Sequence, residues 1–475
     1  MAAAIEAARF GASVVLLDEN PRPGGQIYRD VTRNDCEEKG YLGPDYWRGK
    51  QLAASFSASN IDYAPRATVW SVESPPDSDA QTRHSVCVTI GNMARMIESS
   101  AVILATGAQE RPMPLPGWTL PGVMTAGAAQ IALKTIGAIP VGPTILAGCG
   151  PLLYLLASQL IDAGVNDLTL LDTAQSLFRT SVMRQLPQFL FSSYLLKGIG
   201  LLLKVRRRAN IVSDIRSIAI IGLGSVQGVR FVSGNKEHFM PANSVLLHQG
   251  VIPSINLINA AGAELTWNEN QRTFQPIADQ VGRTTKPGIY VAGDGGGIEG
   301  AQAAEVRGRI AALAAVSDLG FVSPRAVEAP INSLNRQARY LARGRKFLDA
   351  LYAPRQSFLK PSNPETLVCR CEEITAGKLR EVIALGPPGP NQLKTFVRCG
   401  MGQCQGRLCA ATITEIMADE IHVEPSVIGT FRFRSPVKPV RLGELAHLPH
   451  TVRAQQAVTG RDPIEQKNKP VDRST

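Results

Sequence analysis

Five of the chain's eight cysteines crowd between Cys369 and Cys409, and that crowding constrains the fold more than any other feature. They run Cys369-Arg370-Cys371, then Cys399, Cys404 and Cys409, with Gly400, Gly402 and Gly406 set among the last three. The N-terminal residues include Glu6 and Arg9 and no long apolar run, so they do not read as a secretory signal. Clustered thiols in such a chain are expected as metal ligands in a reducing compartment rather than as a disulfide framework. A C-x-C pair and a C-x4-C pair brought face to face can supply two thiolates to each iron of a 2Fe-2S cluster, which selects Cys369, Cys371, Cys404 and Cys409. The glycines let the loop wrap closely and turn N–H groups toward the sulfurs, which helps set a reduction potential. The ATITEIMADEI run after Cys409 reads as a helix whose positive end faces the cluster. Cys399 is left out, because the glycine loop frames Cys404 and Cys409. A closed four-thiolate zinc site is the competing reading, although paired C-x2-C is its more usual spacing. Ordinary buried thiols are the bland one.

The remainder of the 475 residues is long enough for more than one further core. An Ala-rich helix ending near Gly11 is followed by a buried strand over residues 13–18 and an acid at its end. This is the second half of a dinucleotide-binding βαβ unit, in which Asp18, with Glu19 as fallback, would accept hydrogen bonds from a ribose. The strand and glycine loop of the first half do not precede it, so this fold is expected to be truncated, with tight cofactor binding only in a form extended upstream. Gly24, Gly25 and Gln26 form the next turn, where the glycines permit close backbone approach. A polar, mixed stretch runs to about residue 98, followed by a buried strand over 101–107.

Residues 143–172 read as a complete strand, glycine loop, helix and strand, ending in Asp172. Gly148 and Gly150 are the first two glycines of a dinucleotide fingerprint, but Leu153 stands in place of the third. An NAD(P) site here is therefore a lesser expectation than a retained fold. Residues 245–253 are expected as strand and turn, residues 288–316 as strand, Gly-rich turn and long helix, and residues 323–364 as a basic linker with some helix. A polar tail after residue 450 is expected to be disordered.

The net charge of +10 arises almost wholly after residue 322, which suggests either a docking face for an acidic partner or a solvated tail. Nucleic acid is a poor reading, because no basic patch is interleaved with exposed aromatics. The most apolar stretch, residues 189–205, holds Lys197 and Lys204 and is short for a membrane span. It reads as a packed helix, with surface membrane contact as the lesser option.

LVCRCEEIT together with RCGMGQCQGRLC resembles the bacterioferritin-associated ferredoxin type of 2Fe-2S domain. More narrowly, it resembles that domain as fused to flavoproteins of the opine oxidase A-subunit and hydrogen cyanide synthase B-subunit family. ENPRPGGQIYR, ATGAQERPMPLPGWTLPGVMTAGAAQ, GCGPLL, HQGVIP, YVAGDGGGIEGAQAA and SPVKPVRLGELA match that family in order along almost the whole chain. The resemblance implies an α/β fold with two Rossmann-like, glutathione-reductase-like dinucleotide-binding domains and a small C-terminal 2Fe-2S domain. The corresponding boundaries are 1–115 with 250–322 for a discontinuous FAD domain and 116–249 for the second domain. Residues 323–364 are then a linker, 365–420 the 2Fe-2S domain and 421–475 an extension and tail. It further implies that Thr106 and Gly107 form a flavin-contact turn and that Gly293-Asp294 meets the ribityl chain.

A flavin accepts two electrons at once and can release them singly, while a 2Fe-2S cluster carries one. The resemblance therefore implies the electron-relay subunit of a dehydrogenase that oxidises the C–N bond of an opine or amino acid to an imine. It implies too that substrate is oxidised largely on a second flavoprotein subunit and that electrons leave to a redox acceptor, in a cytoplasmic setting with peripheral contact at the inner membrane face as an option. No Ser-His-Asp or Cys-His arrangement is visible, and no catalytic base is assigned. A stand-alone NAD(P)H-dependent reductase and a non-enzymatic 2Fe-2S scaffold with an inactive flavin fold are the alternatives.

Overall fold

The structure is a computed structural model and describes residues 1–74 and 83–448. The expected polar tail lies outside the described residues.

The continuous apolar runs become the inner strands of a parallel sheet. Thr144–Cys149 pairs on one side with Leu168–Asp172 and on the other with Ser244–Gln249. Asn210–Val212 and Val123–Thr125 form the edges of this five-stranded sheet. Alternate residues serve opposite faces. Leu146, Leu170 and Leu246 join a core with the helices Ala126–Ile136 and Pro151–Asp162. Ile145, Ala147, Leu171, Val245 and Leu247 join a second core with the antiparallel strands Ile215–Ile221 and Gly228–Ser233. With both faces covered, the strands need no polar alternation, and their sequences show none.

The flavin-type half is assembled from pieces far apart in sequence. Val15–Asp18 pairs in parallel with Asp62–Pro65, and Val102–Leu104 pairs in parallel with Ile289–Val291. The two pairs share apolar clusters, through Val14 with Ile103 and Leu17 with Leu104, but do not join into one sheet. The first strand was expected to be buried; instead Val15 is exposed and its neighbours are half-buried, because only one strand flanks it. The mixed stretch before residue 98 holds the strands Thr68–Glu73, His84–Ile90 and Met93–Ser99, an antiparallel meander. The helix Ala2–Arg9 lies on the long helix Ala301–Asp318, where Ala7 meets Ala312 and Val316.

Residues 323–364 are far more structured than a linker. Helices Pro324–Leu341, Arg345–Leu351 and Gln356–Leu359 occupy most of it, and Val327, Leu334 and Ala338 pack on Val306, Ile310 and Leu313. The cysteine module has its own core of Val368, Leu379, Leu393, Ile413 and Ile416, against which Ile255 and Ala260 of the flavin-type half pack. Beyond it, the extension returns over the meander: the Val437 N–H donates to the Trp70 carbonyl, and Lys438 pairs with Glu19 at 2.8 Å.

Candidate functional site

Short elements and tight loops bring the four selected thiols together. Cys369 ends the strand Leu367–Cys369, and Cys409 is the N-cap of the helix Ala410–Ile421. The thiols stand as two neighbouring pairs, Cys369 beside Cys409 and Cys371 beside Cys404. The Cys409 thiol holds Cys369 down at about 6 against the opposing effect of burial, helped by the N–H groups of Gly400, Glu372 and Cys371. The N–H groups of Leu408 and Gly406 point at Cys404. Gly402 is required by this packing, since a Cβ there would lie 2.3 Å from the Cβ of Cys371. Among the described residues no three His, Cys, Asp or Glu side chains close on a single-ion site. Two thiol pairs ringed by N–H donors are the donor set that two bridged irons require, so the residues fit a 2Fe-2S cluster. Cys399 is fully buried in the module's apolar core, where burial pushes its thiol up to about 12.

The expected flavin contacts lie on three loops, two of which meet. Thr106 and Gly107 lie against Gly295: a Cβ on Gly295 would be 3.2 Å from Thr106 Oγ1 and 3.5 Å from the Gly107 nitrogen. Asp294, beside Gly293, accepts at Oδ1 from the N–H groups of Glu299 and Gly300, each at 3.0 Å, just before the long helix begins. Asp18 Oδ1 accepts from the Asn20 backbone and side-chain amides, both at 2.9 Å. Gly24 and Gly25 have φ of +127° and +59°, and their turn leads into Gln26. Glu19 is engaged elsewhere, by both oxygens with Lys438. This loop geometry, with close-approach glycines and an acid at a strand end, fits an FAD.

The second glycine loop is a different matter. A Cβ on Gly148 would lie 1.6 Å from the His248 carbonyl oxygen, so the neighbouring strand by itself demands a glycine here. Leu153 is fully buried. Asp172 is already bound by the Tyr154 hydroxyl at 2.5 Å and the Ala174 N–H at 2.8 Å. The chain's own segment 352–355 then lies over the strand ends. The Tyr352 carbonyl accepts from the Cys149 thiol, the Ala353 carbonyl from Gln175, and Arg355 donates to the carbonyls of Thr173 and Ala174. Gly150 caps the following helix.

Sequence reading missed the polar ties between the two cofactor regions. Gln109, two residues past Gly107, donates to the Arg407 carbonyl at 2.8 Å, inside the Cys404–Cys409 loop. Asn256 donates to the Gln405 carbonyl of the same loop at 2.7 Å. Ser254 completes the join: its carbonyl accepts from Thr106 Oγ1 and its N–H donates to the Gly107 carbonyl. Below the loop, Arg272 holds Glu415 bidentately, at 3.0 and 2.6 Å. Lone Gln and Asn residues carry no pattern that would mark them in advance. His248 and Glu110, paired at 2.6 Å and nearly or largely buried, were also missed; they brace the Gly148–Gly150 turn from beneath.

Comparison with known proteins follows this division. The family model for pyridine nucleotide-disulphide oxidoreductases matches residues 1–308, and that for the BFD-like 2Fe-2S binding domain matches residues 367–419. The opine oxidase A-subunit from Agrobacterium tumefaciens (strain Ach5) is 69% identical over 98% of this chain and 93% of its own length. The hydrogen cyanide synthase subunit HcnB from Pseudomonas aeruginosa is 30% identical over 94% of this chain and 96% of its own. Among solved structures, L-proline dehydrogenase from P. horikoshii shares the fold with a TM-score of 0.65, at 20% identity, over 94% of this chain and 76% of that one.

Proposed function

This chain belongs to the pyridine nucleotide-disulphide oxidoreductase family and is an FAD-dependent oxidoreductase with a C-terminal 2Fe-2S domain, and from that premise we propose that it is the electron-relay subunit of a heteromeric dehydrogenase. The complex oxidises the C–N bond of an opine or amino acid to an imine, mainly on a second flavoprotein subunit, and passes electrons to a redox acceptor. The names of the relatives support the substrate class and the presence of further subunits. What supports the relay role is the short join from Thr106-Gly107 through Gln109 and Ser254–Asn256 to the Cys404–Cys409 loop.

In this reading Asp18 takes the ribose and Gly24, Gly25 and Gln26 admit the cofactor to close backbone approach. Thr106 and Gly107 line the flavin, and Gly293 and Asp294 lie at the ribityl chain. Cys369, Cys371, Cys404 and Cys409 hold the irons. FAD supplies two-electron acceptance, and the cluster one-electron transfer. The residues of the join fix the separation of the two sites. The Tyr154 hydroxyl on Asp172 and the seating of residues 352–355 against Cys149 and Ala174 count against turnover of NAD(P) at Gly148 and Gly150. The complex works in the cytoplasm with peripheral contact at the inner membrane face. Among the described residues no helix is long and apolar enough to cross a membrane.

The test is anaerobic addition of an opine or amino acid to the complex purified with its second subunit, after flavin, iron and acid-labile sulfide have been quantified. Bleaching of both flavin and cluster absorbance is expected, with NADH producing none. Rapid cluster reduction by NADH would replace this reading with a nucleotide-dependent reductase, and iron and sulfide without flavin would leave only a scaffold.

A further inference from the structure

From Thr173 to Ser213 the sequence contains seven Lys or Arg and no Asp or Glu. The same stretch carries eight large apolar side chains that the fold leaves in solvent: Leu177, Phe178, Met183, Leu190, Phe191, Leu196, Ile199 and Leu203. Three of them are almost wholly exposed, Phe178 at 89%, Phe191 at 80% and Leu196 at 81%. The sequence had suggested a helix packed over residues 189–205. The observed helix Ser193–Arg208 does bury Val205, toward the helix Pro151–Asp162, but only along one side. Leu196, Ile199 and Leu203 follow the i, i+3, i+7 spacing of a second face, and that face has no cover among the described residues. A cluster of this kind on a soluble surface marks an interaction site.

Charge decides what fits it. Lys197 and Lys204 are paired with Asp45 and Asp162 along the flank of the helix. Arg206, Arg207 and Arg208 end the helix together, and Arg179 and Arg184 stand exposed among the apolar residues of the preceding turns. Protein interface cores are depleted in charge, whereas interfacial helices set Phe and Leu into the acyl boundary with Lys and Arg against anionic headgroups. We infer that residues 177–208 form a docking face for an anionic phospholipid surface. Phe178, Phe191 and Leu196 enter the acyl boundary, and Arg179, Arg184 and Arg206–Arg208 meet the headgroups. This inference refines the peripheral placement proposed above, but it stands or falls on binding alone, without substrate turnover.

The test is flotation of the full-length chain with vesicles of phosphatidylcholine containing phosphatidylglycerol, and with vesicles of phosphatidylcholine only. The expected result is binding to the anionic vesicles that weakens as salt is raised. Arg206→Gln/Arg207→Gln/Arg208→Gln should lower the partition roughly 100-fold, and Phe178→Ser/Phe191→Ser/Leu196→Ser by at least roughly tenfold. All six positions are exposed, so circular dichroism and cluster absorbance should stay unchanged. Absence of wild-type binding, equal binding to both vesicles, or indifference to both variants would overturn the inference. So would a serine variant that keeps vesicle binding but no longer co-purifies with the second flavoprotein subunit, which would make this face a subunit interface.

Discussion

Cys399 and Cys409 are both fully buried, yet one faces apolar side chains and the other a thiol partner. Cys404→Ser or Cys409→Ser should therefore abolish the visible absorbance of the cluster and most bound iron. Cys399→Ala should retain both at a stability cost of about 1 kcal/mol, read by denaturant unfolding. Loss of iron in the Cys399 variant alone would reverse the ligand assignment. That the cysteine cluster belongs to a 2Fe-2S domain was legible from its crowding and its glycines; the choice of four ligands among five thiols rests on the glycines that frame two of them and on the C-x-C pair. Lys134 was not legible, since its burial depends on partners scattered along the chain. Its ammonium donates to the Gln26 carbonyl and to Gln130, each at 3.0 Å, and among the described residues no carboxylate is paired with it. Burial, with Arg29 nearby, pushes it down to about 7 from an ordinary 10.5. Between those values the unfolded chain binds more protons than the folded one, so stability due to this group rises with pH across that window. Lys134→Met should gain most over wild type below about pH 7 and lose that advantage toward about pH 10, as measured by urea unfolding across the range. A difference independent of pH would contradict this.

The βαβ unit of residues 143–172 could be read almost residue by residue, because a sheet covered on both faces writes itself as unbroken apolar runs. The strands Thr68–Glu73, His84–Ile90 and Met93–Ser99 escaped notice because one side of the meander remains partly in solvent and polar residues interrupt its pattern. The helix Pro324–Leu341 was hidden by its charge: only a narrow stripe of Val327, Leu334 and Ala338 meets the core. Gly148 belongs to the same scale, because its constraint comes from the adjacent strand. Gly148→Ala combines a φ of +143° with a Cβ pressed into the His248 carbonyl. A loss of about 3 kcal/mol or more is expected, seen as a lowered Tm or failure to accumulate soluble protein. A variant of wild-type stability would mean that the two strands can separate freely.

At the scale of the molecule, the order of the domains was visible in the sequence but their attachment was not, since Gln109, Asn256 and Arg272 are ordinary residues until the fold closes. Glu415 is 4% exposed and depends on Arg272 for compensation. Arg272→Ala should cost about 3 kcal/mol by stranding a buried charge, visible as earlier thermal loss of cluster absorbance, while Arg272→Lys should recover part of it. Unchanged melting would show that water reaches Glu415. The cysteine module is thus bolted at Gln109, Asn256 and Arg272 and strapped by the extension through Asn259 and Lys438. An arm that swings between donor and acceptor must push solvent aside on every cycle, and its throughput falls as the medium thickens. A unit seated in this way makes no such journey, so adding glycerol should leave the internal hand-over of charge as fast as it is in dilute buffer.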